Sequence, residues 1–320
     1  MQDAPSLTLW PWALLIGLAF GATLQRSHFC TMGCISDAVL FGSLRRLRVW
    51  ALAVAVALLG SQAIDGAGLV DLGQSTYLRT APHRAFAVAL GGVMFGFGMV
   101  QAGGCVSRNL ARLGAGSLKA LAALLATATA AGATWVLVPP PVLMAAAPSA
   151  AWMPLLGVAV SLALLAFCLP DQRFRRSAPD LATGSVLGIL IPLGWLATGL
   201  SRARPESVNY LALDHADFTL PLLLGTVLGA FAAARTARAF RIERFTAAGD
   251  LRRHLLGGAL TGCGGALASG CTIGQGMTGV STLAPVSFLA LAGMLGGAWW
   301  GVKHLETGRL LPQLWPSRQI

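Results

Sequence analysis

Charged residues are scarce in this chain, and acidic residues are the scarcest of them. Only 11% of its 320 residues are charged, against roughly 25% in a soluble domain. Asp and Glu number 12 in all, whereas Lys and Arg number 23 and the hydrophobic share is 55%. The mean hydropathy is +0.69. Because a soluble surface needs far more charge, the composition predicts a single integral membrane domain over residues 1–320.

Several motifs are missing from the sequence, and each absence removes a class of function. No Walker A motif is present, since Gly114-Ala-Gly-Ser-Leu-Lys119 has the wrong spacing, so ATP hydrolysis is not expected. No basic stretch precedes the first apolar run, which argues against a cleavable signal peptide. The sequence shows no quinone or haem ligand set and no His or Met clusters, so neither a cofactor nor a bound metal is expected.

The six cysteines do not have the setting of a disulfide framework. They lie within or beside apolar segments of a long chain, not in a small secreted domain. Cys168 is interpreted as an ordinary buried small residue, and Cys34 and Cys263 as structural residues. The three candidates for function, which lie in glycine-rich or polar surroundings, are Cys30, Cys105 and Cys271.

Apolar runs approaching the ~20 residues needed to cross a bilayer recur along the chain. Some of them are short, which fits helices that stop at mid-depth in the membrane. The proline-rich stretch from Pro139 to Pro154 predicts a turn between the fourth and fifth runs. The nine predicted spans lie near Leu9–Leu24, Leu47–Ile64, Ala85–Gln101, Leu118–Val138, Trp152–Leu169, Leu181–Leu200, Leu220–Ala234, Leu255–Ala268 and Val286–Val302.

The net charge of +11 would suit a nucleic-acid partner, but the positions of the basic residues favour a membrane topology. If the N-terminus is outside, the inward loops and the tail hold 19 of the 23 Lys and Arg residues, and the outward loops hold 4. Basic residues collect in cytoplasmic loops. The N-terminus is therefore predicted outside and the C-terminus inside, with the lipid bilayer rather than nucleic acid as the partner.

Two glycine-rich segments that each end in cysteine can be overlaid on one another. GGVMFGFGMVQAGGC begins at Gly91, and GGALTGCGGALASGC begins at Gly257, an offset of 166 residues. A fainter match, with an offset of 167, brings Gly17 onto Gly184. The aligned cysteines make this an internal repeat rather than a chance match between glycine-rich helices.

The predicted topology makes the repeat an inverted one, because the third span runs inward and the eighth outward. The chain is therefore predicted to be all-α and polytopic with a 4+1+4 arrangement, whose halves cover 9–138 and 181–303 and whose connector helix covers 152–169. Inverted repeats are a transporter architecture, with the substrate site at the repeat interface near the middle of the membrane. Cys30 falls on Ala197 in this alignment and has no counterpart in the second half.

Glycine continues beyond the predicted helices at Gly103-Gly104-Cys105 and Ser269-Gly270-Cys271. Close helix packing explains glycines inside helices, but these later ones indicate helix breaks, with Ser107 and Asn109, or Thr272, as caps of the next helix. A break offers free backbone N–H groups and the positive end of a helix dipole, which favour anions. A thiol adds a weak donor and a polarizable surface, so cysteine at this point favours a sulfur-bearing anion.

Polar residues also surround Cys30 at the end of the first span. Arg26, His28 and Asp37 are charged or titratable, and such residues near a membrane span are functional candidates by default. The alternative for Arg26 is that its side chain extends to the membrane interface.

The segments around the three cysteines resemble the YeeE/YedE family of bacterial inner-membrane proteins, also called the sulfur-transport family. The carrying segments are Phe29-Cys-Thr-Met-Gly-Cys-Ile-Ser-Asp37, Gly96-Phe-Gly-Met-Val-Gln-Ala-Gly-Gly-Cys105 with Arg108 and Asn109, and Gly265-Ala-Leu-Ala-Ser-Gly-Cys-Thr-Ile-Gly-Gln-Gly276. The resemblance spans most of the chain. It implies inverted halves with short half-membrane helices, and uptake of thiosulfate or a related sulfur compound.

The resemblance also implies which residues carry the anion. Cysteines of the family pass the compound on through hydrogen bonds, and the matching positions are Cys30, Cys105 and Cys271. Cys34 and Cys263 depart from the family pattern, which suggests that they are dispensable. Supporting contacts are expected from Arg26, Gly104, Arg108, Asn109, Gly270, Thr272 and Gln275.

The sequence thus predicts an importer, not an enzyme, for a sulfur-containing anion, with thiosulfate first. Cys271 is expected to meet the anion nearer the outside and Cys105 nearer the inside, with Cys30 completing the relay. A cytoplasmic sulfurtransferase is a partner that the resemblance suggests. The basic loop Arg235–Arg253 would dock it, unless that loop is an ordinary positive-inside loop.

Other functions stay open at this point. A membrane thiol–disulfide oxidoreductase is favoured by the Cys30-x3-Cys34 spacing, although the usual redox motif is C-x-x-C. A soft-metal transporter would need convergent thiolates. A transporter of another sulfur or selenium compound is the third alternative.

Overall fold

The computed structural model describes residues 9–80, 82–138, 153–201, 204–212, 215–245 and 248–308. Within these ranges the chain is helical and forms no strand, and an isolated β-bridge joins Ser117 and Glu243. A π-helix covers Gly274–Gly279. The α-helices of this part are α1 Leu9–Ser27, α2 Thr31–Phe41, α3 Arg45–Gly66, α4 Thr76–Arg79, α5 Ala85–Gln101, α6 Val106–Gly114, α7 Leu118–Leu137, α8 Met153–Cys168, α9 Gln172–Arg175, α10 Ala178–Leu200, α11 Ala216–Thr236, α12 Ala248–Leu267 and α13 Pro285–Thr307.

Six helical segments of the described chain are long and apolar enough to cross a membrane. They are α3, α7, α10, α11, α13 and the segment Ala85–Gly114, which contains α5, α6 and the short break between them. The connector α8 is apolar but shorter. α12 begins with Asp250, Arg252 and Arg253, which lower its hydropathy. These segments make the chain a multi-pass membrane protein.

Each of the nine predicted spans corresponds to a helix, but six of them meet the length and hydropathy expected for a crossing. The remaining three predictions correspond to α1, α8 and α12. The predicted fifth span starts at Trp152, and the proline-rich turn covers much of 139–152; both lie outside the described residues.

Two parallel helix pairs pack through glycine on one side of the molecule. In the pair of α1 and α11, Gly17 lies against the Leu222 carbonyl and Gly21 against the Thr226 carbonyl. In the pair of α10 and α3, Gly188 lies against the Ala53 carbonyl. A Cβ atom on any of these glycines would overlap backbone, so their small size permits the close approach that stabilises helix pairs in membranes.

The other side of the molecule is built in the same way. Gly96 of α5 lies against the Met294 carbonyl of α13, and Gly262 of α12 lies against the Thr127 carbonyl of α7. Between these two pairs, α5 and α12 pack against each other. Gly91, near the start of α5, touches Ala268 just beyond the end of α12, so these two helices are antiparallel.

The short helices occupy the space between the long ones. α6 packs on α1, α7 and α11, whereas α2 packs on α3 and α13. The π-helix contacts α3, α10 and α13. Their N-termini are therefore enclosed by long helices, which is the setting in which irregular backbone is tolerated at membrane depth.

Candidate functional site

Three cysteines follow backbone breaks of the same form. Two residues before each cysteine the chain takes a positive φ, with values of 51° at His28, 73° at Gly103 and 55° at Ser269. Such angles favour glycine and are uncommon for other residues, although histidine is one of the more tolerant. Each cysteine then begins the next helical segment. The three are Cys30 before α2, Cys105 before α6 and Cys271 before the segment that contains the π-helix.

Cys30 and Cys105 are the N-caps of α2 and α6, and Cys271 lies two residues before Ile273, the N-cap of the π-helix. The backbone N–H of the residue four positions later donates to the cysteine carbonyl. The N–O distances are 3.0 Å from Cys34 to Cys30, 2.9 Å from Asn109 to Cys105 and 2.7 Å from Gln275 to Cys271. Each thiol is therefore placed at a helix N-terminus, where backbone N–H groups and the helix dipole favour negative charge.

The cap residues predicted from the sequence were wrong by one to four positions. Ser107 and Asn109 lie inside α6, because the break ends at Cys105 and not at the next hydroxyl or amide. Thr272 is likewise not the cap of the second segment. The Cys271 sulfur itself accepts a bond from the Gly274 N–H at 3.3 Å.

The structure brings the three cysteines together in the interior. Their exposed fractions are 6% for Cys30, 1% for Cys105 and 0% for Cys271. The side chains of Cys30 and Cys105 are adjacent, and Cys105 also lies beside Thr272, the residue after Cys271. Cys105 thus lies between Cys30 and the Cys271–Thr272 pair, and its sulfur is 3.3 Å from the Ser107 hydroxyl.

Two threonine hydroxyls at this site have no protein partner. Thr31 and Thr272 directly follow Cys30 and Cys271, and both side chains are buried. Neither hydroxyl has a hydrogen-bond partner among the described residues. Buried polar groups are normally paired, so these two donors point to a ligand. Thr31 was missed from the sequence, although the shared Cys-Thr pair was a signal.

The amides of Asn109 and Gln275 support the backbone of the breaks. Asn109 Nδ2 donates to the Gly104 carbonyl at 2.9 Å, and Gln275 Nε2 donates to the Ala268 carbonyl at 2.6 Å. The Gln275 oxygen accepts a bond from the Ser287 hydroxyl at 2.6 Å. The N–H donors of these two amides thus fix the backbone just before Cys105 and Cys271. Of these two amides, Asn109 leaves its Oδ1 atom buried without a hydrogen-bond partner among the residues that the structure describes.

The glycines beside the cysteines lie at crowded positions. A Cβ on Gly104 would approach Arg108 Cγ to 3.1 Å, and one on Gly270 would approach Asn209 Nδ2 to 3.2 Å. Arg108 is half-buried, and its guanidinium is 3.4 Å from both the Leu24 carbonyl and His28 Nδ1. This places a cation beside Cys30 and Cys105.

Arg26 is not brought into the cysteine cluster. It is exposed at the end of α1 and lines a cavity of about 400 Å³ with Asp180 and Thr183. A neighbouring cavity of about 340 Å³ shares Ser27, Asp180 and Thr183. It is also lined by Phe29, the residue before Cys30, so the cluster approaches an open vestibule on this side.

The opposite side of the cluster is closed. A narrow pocket of about 10 Å³ touches Ser269, two residues before Cys271, together with Tyr77, Glu206 and Asn209. The site therefore has one open approach, near Cys30, and one occluded approach, near Cys271.

The carbonyls at the Cys105 break are bound by cations. Arg112 Nη1 donates to the Gly103 carbonyl at 3.2 Å, and Arg253 Nε donates to the Gln101 carbonyl at 3.3 Å. Arg112 also pairs with Glu243 at 3.0 Å. In the loop outside the helices, the Ser117 hydroxyl donates to Glu243 and holds the pKa of that carboxyl below its usual value.

The other three cysteines are engaged elsewhere. The Cys34 thiol donates to the carbonyls of Cys30 and Arg46, each at 3.3 Å. Cys168 points to the Arg48 carbonyl, and Cys263 lies 4.0 Å from the Ala130 carbonyl of α7. In the part of the chain that the structure covers, no group of three His, Cys, Asp or Glu residues is placed to hold a metal ion.

Comparison with known proteins gives a family match over most of the chain. A family profile described as sulphur transport matches residues 26–300. The thiosulfate transporter TsuA of Escherichia coli strain K12 is 24% identical over 89% of this chain and 92% of its own length. The protein of the same name from Spirochaeta thermophila is 28% identical over 89% of this chain and 96% of its own length.

Proposed function

The chain belongs to the sulphur transport family, and we propose that it imports a sulfur-containing anion, thiosulfate first, across the bacterial cytoplasmic membrane. The family match confirms the resemblance seen in the sequence, and the relatives' names agree with a transporter rather than an enzyme. The observation that supports the proposal most directly is the convergence of three cysteines at the starts of helical segments with two threonine hydroxyls that have no partner among the described residues.

The helix contacts support an inverted 4+1+4 repeat. Packing of α1 on α11 is matched by packing of α10 on α3, and packing of α5 on α13 is matched by packing of α12 on α7. The match extends to single residues at the offset of 166. Gly91 touches Ala268, and their counterparts Gly257 and Ala102 touch each other. Exchange of the two halves therefore reproduces these contacts.

The directions of the helices support nine crossings. With alternating spans, α1 and α11 run inward and α3 and α10 outward, and both pairs are parallel as that pattern requires. The parallel pairs α5 with α13 and α7 with α12, and the antiparallel pair α5 with α12, obey the same pattern. The distribution of Lys and Arg places the N-terminus outside and the C-terminus inside.

The order of the cysteines suggests a route for the anion. The narrow pocket that touches Ser269, two residues before Cys271, would lie toward the outside in this orientation. Cys105 lies between Thr272 and Cys30, and Cys30 follows Phe29, which lines the vestibule. An anion would pass from Cys271 to Cys105 to Cys30 and would leave into the cytoplasmic cavity.

The chemistry of the route suits a soft anion. Each thiol offers an S–H donor and a polarizable sulfur, and Thr31 and Thr272 add stronger O–H donors beside two of them. Arg108 adds positive charge beside Cys30 and Cys105. No bond is made or broken in such a relay, because each station exchanges one set of hydrogen bonds for the next.

The thiol oxidoreductase alternative is less well supported. The Cys34 thiol is committed to two backbone carbonyls, which leaves the Cys30 thiol beside Cys105 instead. The cytoplasmic sulfurtransferase stays an expectation of the resemblance. The basic loop that would dock it is tied to the protein by the Arg112–Glu243 and Lys119–Asp250 ion pairs, which fits a positive-inside loop.

Growth on thiosulfate as the sole sulfur source tests the proposal. The chain is expressed in cells that lack other uptake of the anion, with Cys263→Ala as a matched cysteine control. We expect the wild type and Cys263→Ala to support growth, and Cys105→Ala and Cys271→Ala to fail while reaching the membrane in equal amounts. Normal growth with Cys105→Ala or with Cys271→Ala would exclude the relay. No growth with the wild type would exclude thiosulfate as the transported anion.

A further inference from the structure

The connection between α10 and α11 carries a buried carboxylate. Glu206 is 2% exposed, and it is the only Asp or Glu among the described residues whose whole side chain lies in the buried interior. The segment from Glu206 to Ala212 is buried throughout although it is not helical. An acidic group inside a membrane protein is costly, and it marks a functional site by default.

The two oxygens of this carboxylate have different surroundings. Oε1 accepts bonds from the Tyr77 hydroxyl and from the Ser207 N–H, both at 3.0 Å. Oε2 lies 3.7 Å from His215 Nε2. The first oxygen is thus fixed by donors, and the second faces a group that can share a proton with it.

Glu206 is joined to the Cys271 break by two further hydrogen bonds. Asn209 Nδ2 donates to the Tyr77 oxygen at 3.1 Å and to the Ser269 carbonyl at 3.4 Å. The same three residues, Tyr77, Glu206 and Asn209, line the narrow pocket that touches Ser269. Glu206 thus lines a pocket whose lining reaches Ser269, two residues before Cys271.

The charges around Glu206 come from several elements. His215 faces it from the segment before α11, Tyr77 faces it from α4, and the Cys271 thiol lies behind Tyr77. Arg204 is exposed two residues earlier on the same segment. With no proton on the Glu206–His215 pair its charge is −1, and with one proton the pair is neutral.

An ionised carboxylate in a low-dielectric pocket repels a passing anion strongly. Protonation of the pair removes that repulsion without moving any helix. We infer that Glu206 and His215 form a proton-binding site on the outer approach, and that the anion reaches Cys271 only when this pair holds a proton. The inference rests on the proposed function, since it concerns the same route.

Uptake of radiolabelled thiosulfate by proteoliposomes tests this site. The pH is varied from mildly acidic to mildly alkaline and kept equal on both sides, so that no proton gradient contributes and the orientation of the protein does not matter. The variant Glu206→Gln imitates the protonated carboxyl, because its amide oxygen can still accept from Tyr77 and Ser207. Asp217→Asn, an exposed acidic residue near the start of α11, is the matched control.

We expect wild-type uptake to fall by about tenfold per pH unit above the pKa of the pair, as the protonated fraction does. Asp217→Asn should follow the wild type, and Glu206→Gln should keep its uptake at alkaline pH. A Glu206→Gln profile that coincides with the wild-type profile would overturn the inference. If Glu206→Gln does not fold, the pH profile of His215→Gln is measured instead. A His215→Gln profile that coincides with the wild-type profile would also overturn the inference.

The same experiment separates this inference from the proposed function. If the wild type takes up no thiosulfate at any pH, the proposed function fails. If it takes up thiosulfate with a pH profile that is the same in the wild type and in Glu206→Gln, only the proton site fails.

Discussion

The Cys105 break and the Cys271 break share several backbone features but differ in their electrostatic surroundings. Both combine a positive φ two residues before the cysteine with an amide residue four positions after it, whose N–H donates to the cysteine carbonyl. At the first break the Asn109 amide binds the Gly104 carbonyl, but the Gly103 and Gln101 carbonyls are bound by the guanidinium groups of Arg112 and Arg253. At the second break the carbonyls are bound by the neutral amides of Asn209 and Gln275.

This difference suggests that the repeat and the charges have separate roles: the repeat positions the anion, and the charges set the electrostatic potential along the route. In the proposed repeat, the two breaks would supply matching positions for an anion. In the proposed orientation, the cations at the Cys105 break would make the potential more positive toward the inside, while the buried carboxylate of Glu206 would lie on the outer approach. A route with identical stations can in this way favour inward movement of negative charge.

The largest effects should come from the glycines that the two halves share. Gly96→Ala would place a Cβ on the Met294 carbonyl, and Gly262→Ala would place one on the Thr127 carbonyl. Each should destabilise the protein by about 1–3 kcal/mol or more through overpacking, seen as loss of a monodisperse peak in detergent. Gly132→Ala and Gly296→Ala meet open space and serve as controls. If only one of Gly96→Ala and Gly262→Ala lost its monodisperse peak, the two positions would not be structurally equivalent.

The next effect concerns the unpaired hydroxyl at the second break. Thr272→Val removes a buried donor that has no protein partner among the described residues. We expect the KM for thiosulfate to rise about tenfold, because a hydrogen bond to a charged group contributes about 1.5–3 kcal/mol, with thermal stability unchanged. Thr278→Val is the matched control.

Thr278 donates to the Val208 carbonyl at 2.9 Å, so its loss should lower stability and leave KM unchanged. The reverse pattern in the two variants would show that Thr272 is structural and does not bind the anion.

A smaller effect is expected at the charged break. Arg112→Gln converts the partner of the Gly103 carbonyl from a cation to a neutral amide, as at the second break. Removal of charge near a helix terminus is worth about 1 kcal/mol, which corresponds to uptake about fivefold slower at low thiosulfate concentration. Arg244→Gln, an exposed neighbour in the basic loop, is the control. Equal uptake rates in Arg112→Gln and Arg244→Gln would show that the charge at the Cys105 break does not affect transport.

The smallest effect is a pH dependence of stability near the Cys105 break. The folded pKa of Glu243 is lowered, chiefly by the Ser117 hydroxyl and then by Arg112, so its contribution to stability is present above the unfolded pKa. That contribution is lost as the pH falls through the lower folded pKa. Glu243→Gln should therefore melt slightly below the wild type at neutral pH and equal it in acid. A difference that persists in acid would point to packing instead.

The sequence was sufficient for the helices and for two of the three breaks. Glycine before Cys105 and Cys271 indicated a break, because glycine is the residue that takes positive φ at least cost. The break before Cys30 could not be predicted in this way, since His28 holds the positive φ there. Cys30 was predicted to stand outside the repeat, and it nonetheless shares the local geometry of the other two.

The polar contacts were harder to predict than the backbone. Whether Asn109 and Gln275 face the ligand or the chain depends on which carbonyls the break exposes, and this is a tertiary property. Arg26 and Arg108 are equally basic in the sequence, but α1 ends with Arg26 facing a cavity, while α6 directs Arg108 toward Cys30. The sequence did not indicate that Glu206 is buried, because its burial depends on packing of the connection between α10 and α11 against α4.

Transport by a Cys105→Ser variant tests the central claim most directly. Serine keeps the N-cap and a hydrogen-bonding group but lacks the polarizable sulfur, and Cys263→Ser controls for the loss of a cysteine as such. In proteoliposomes we expect thiosulfate uptake by Cys105→Ser to fall by about tenfold or more, with a normal folded peak, while Cys263→Ser matches the wild type. Uptake by Cys105→Ser at the wild-type rate would contradict the cysteine relay.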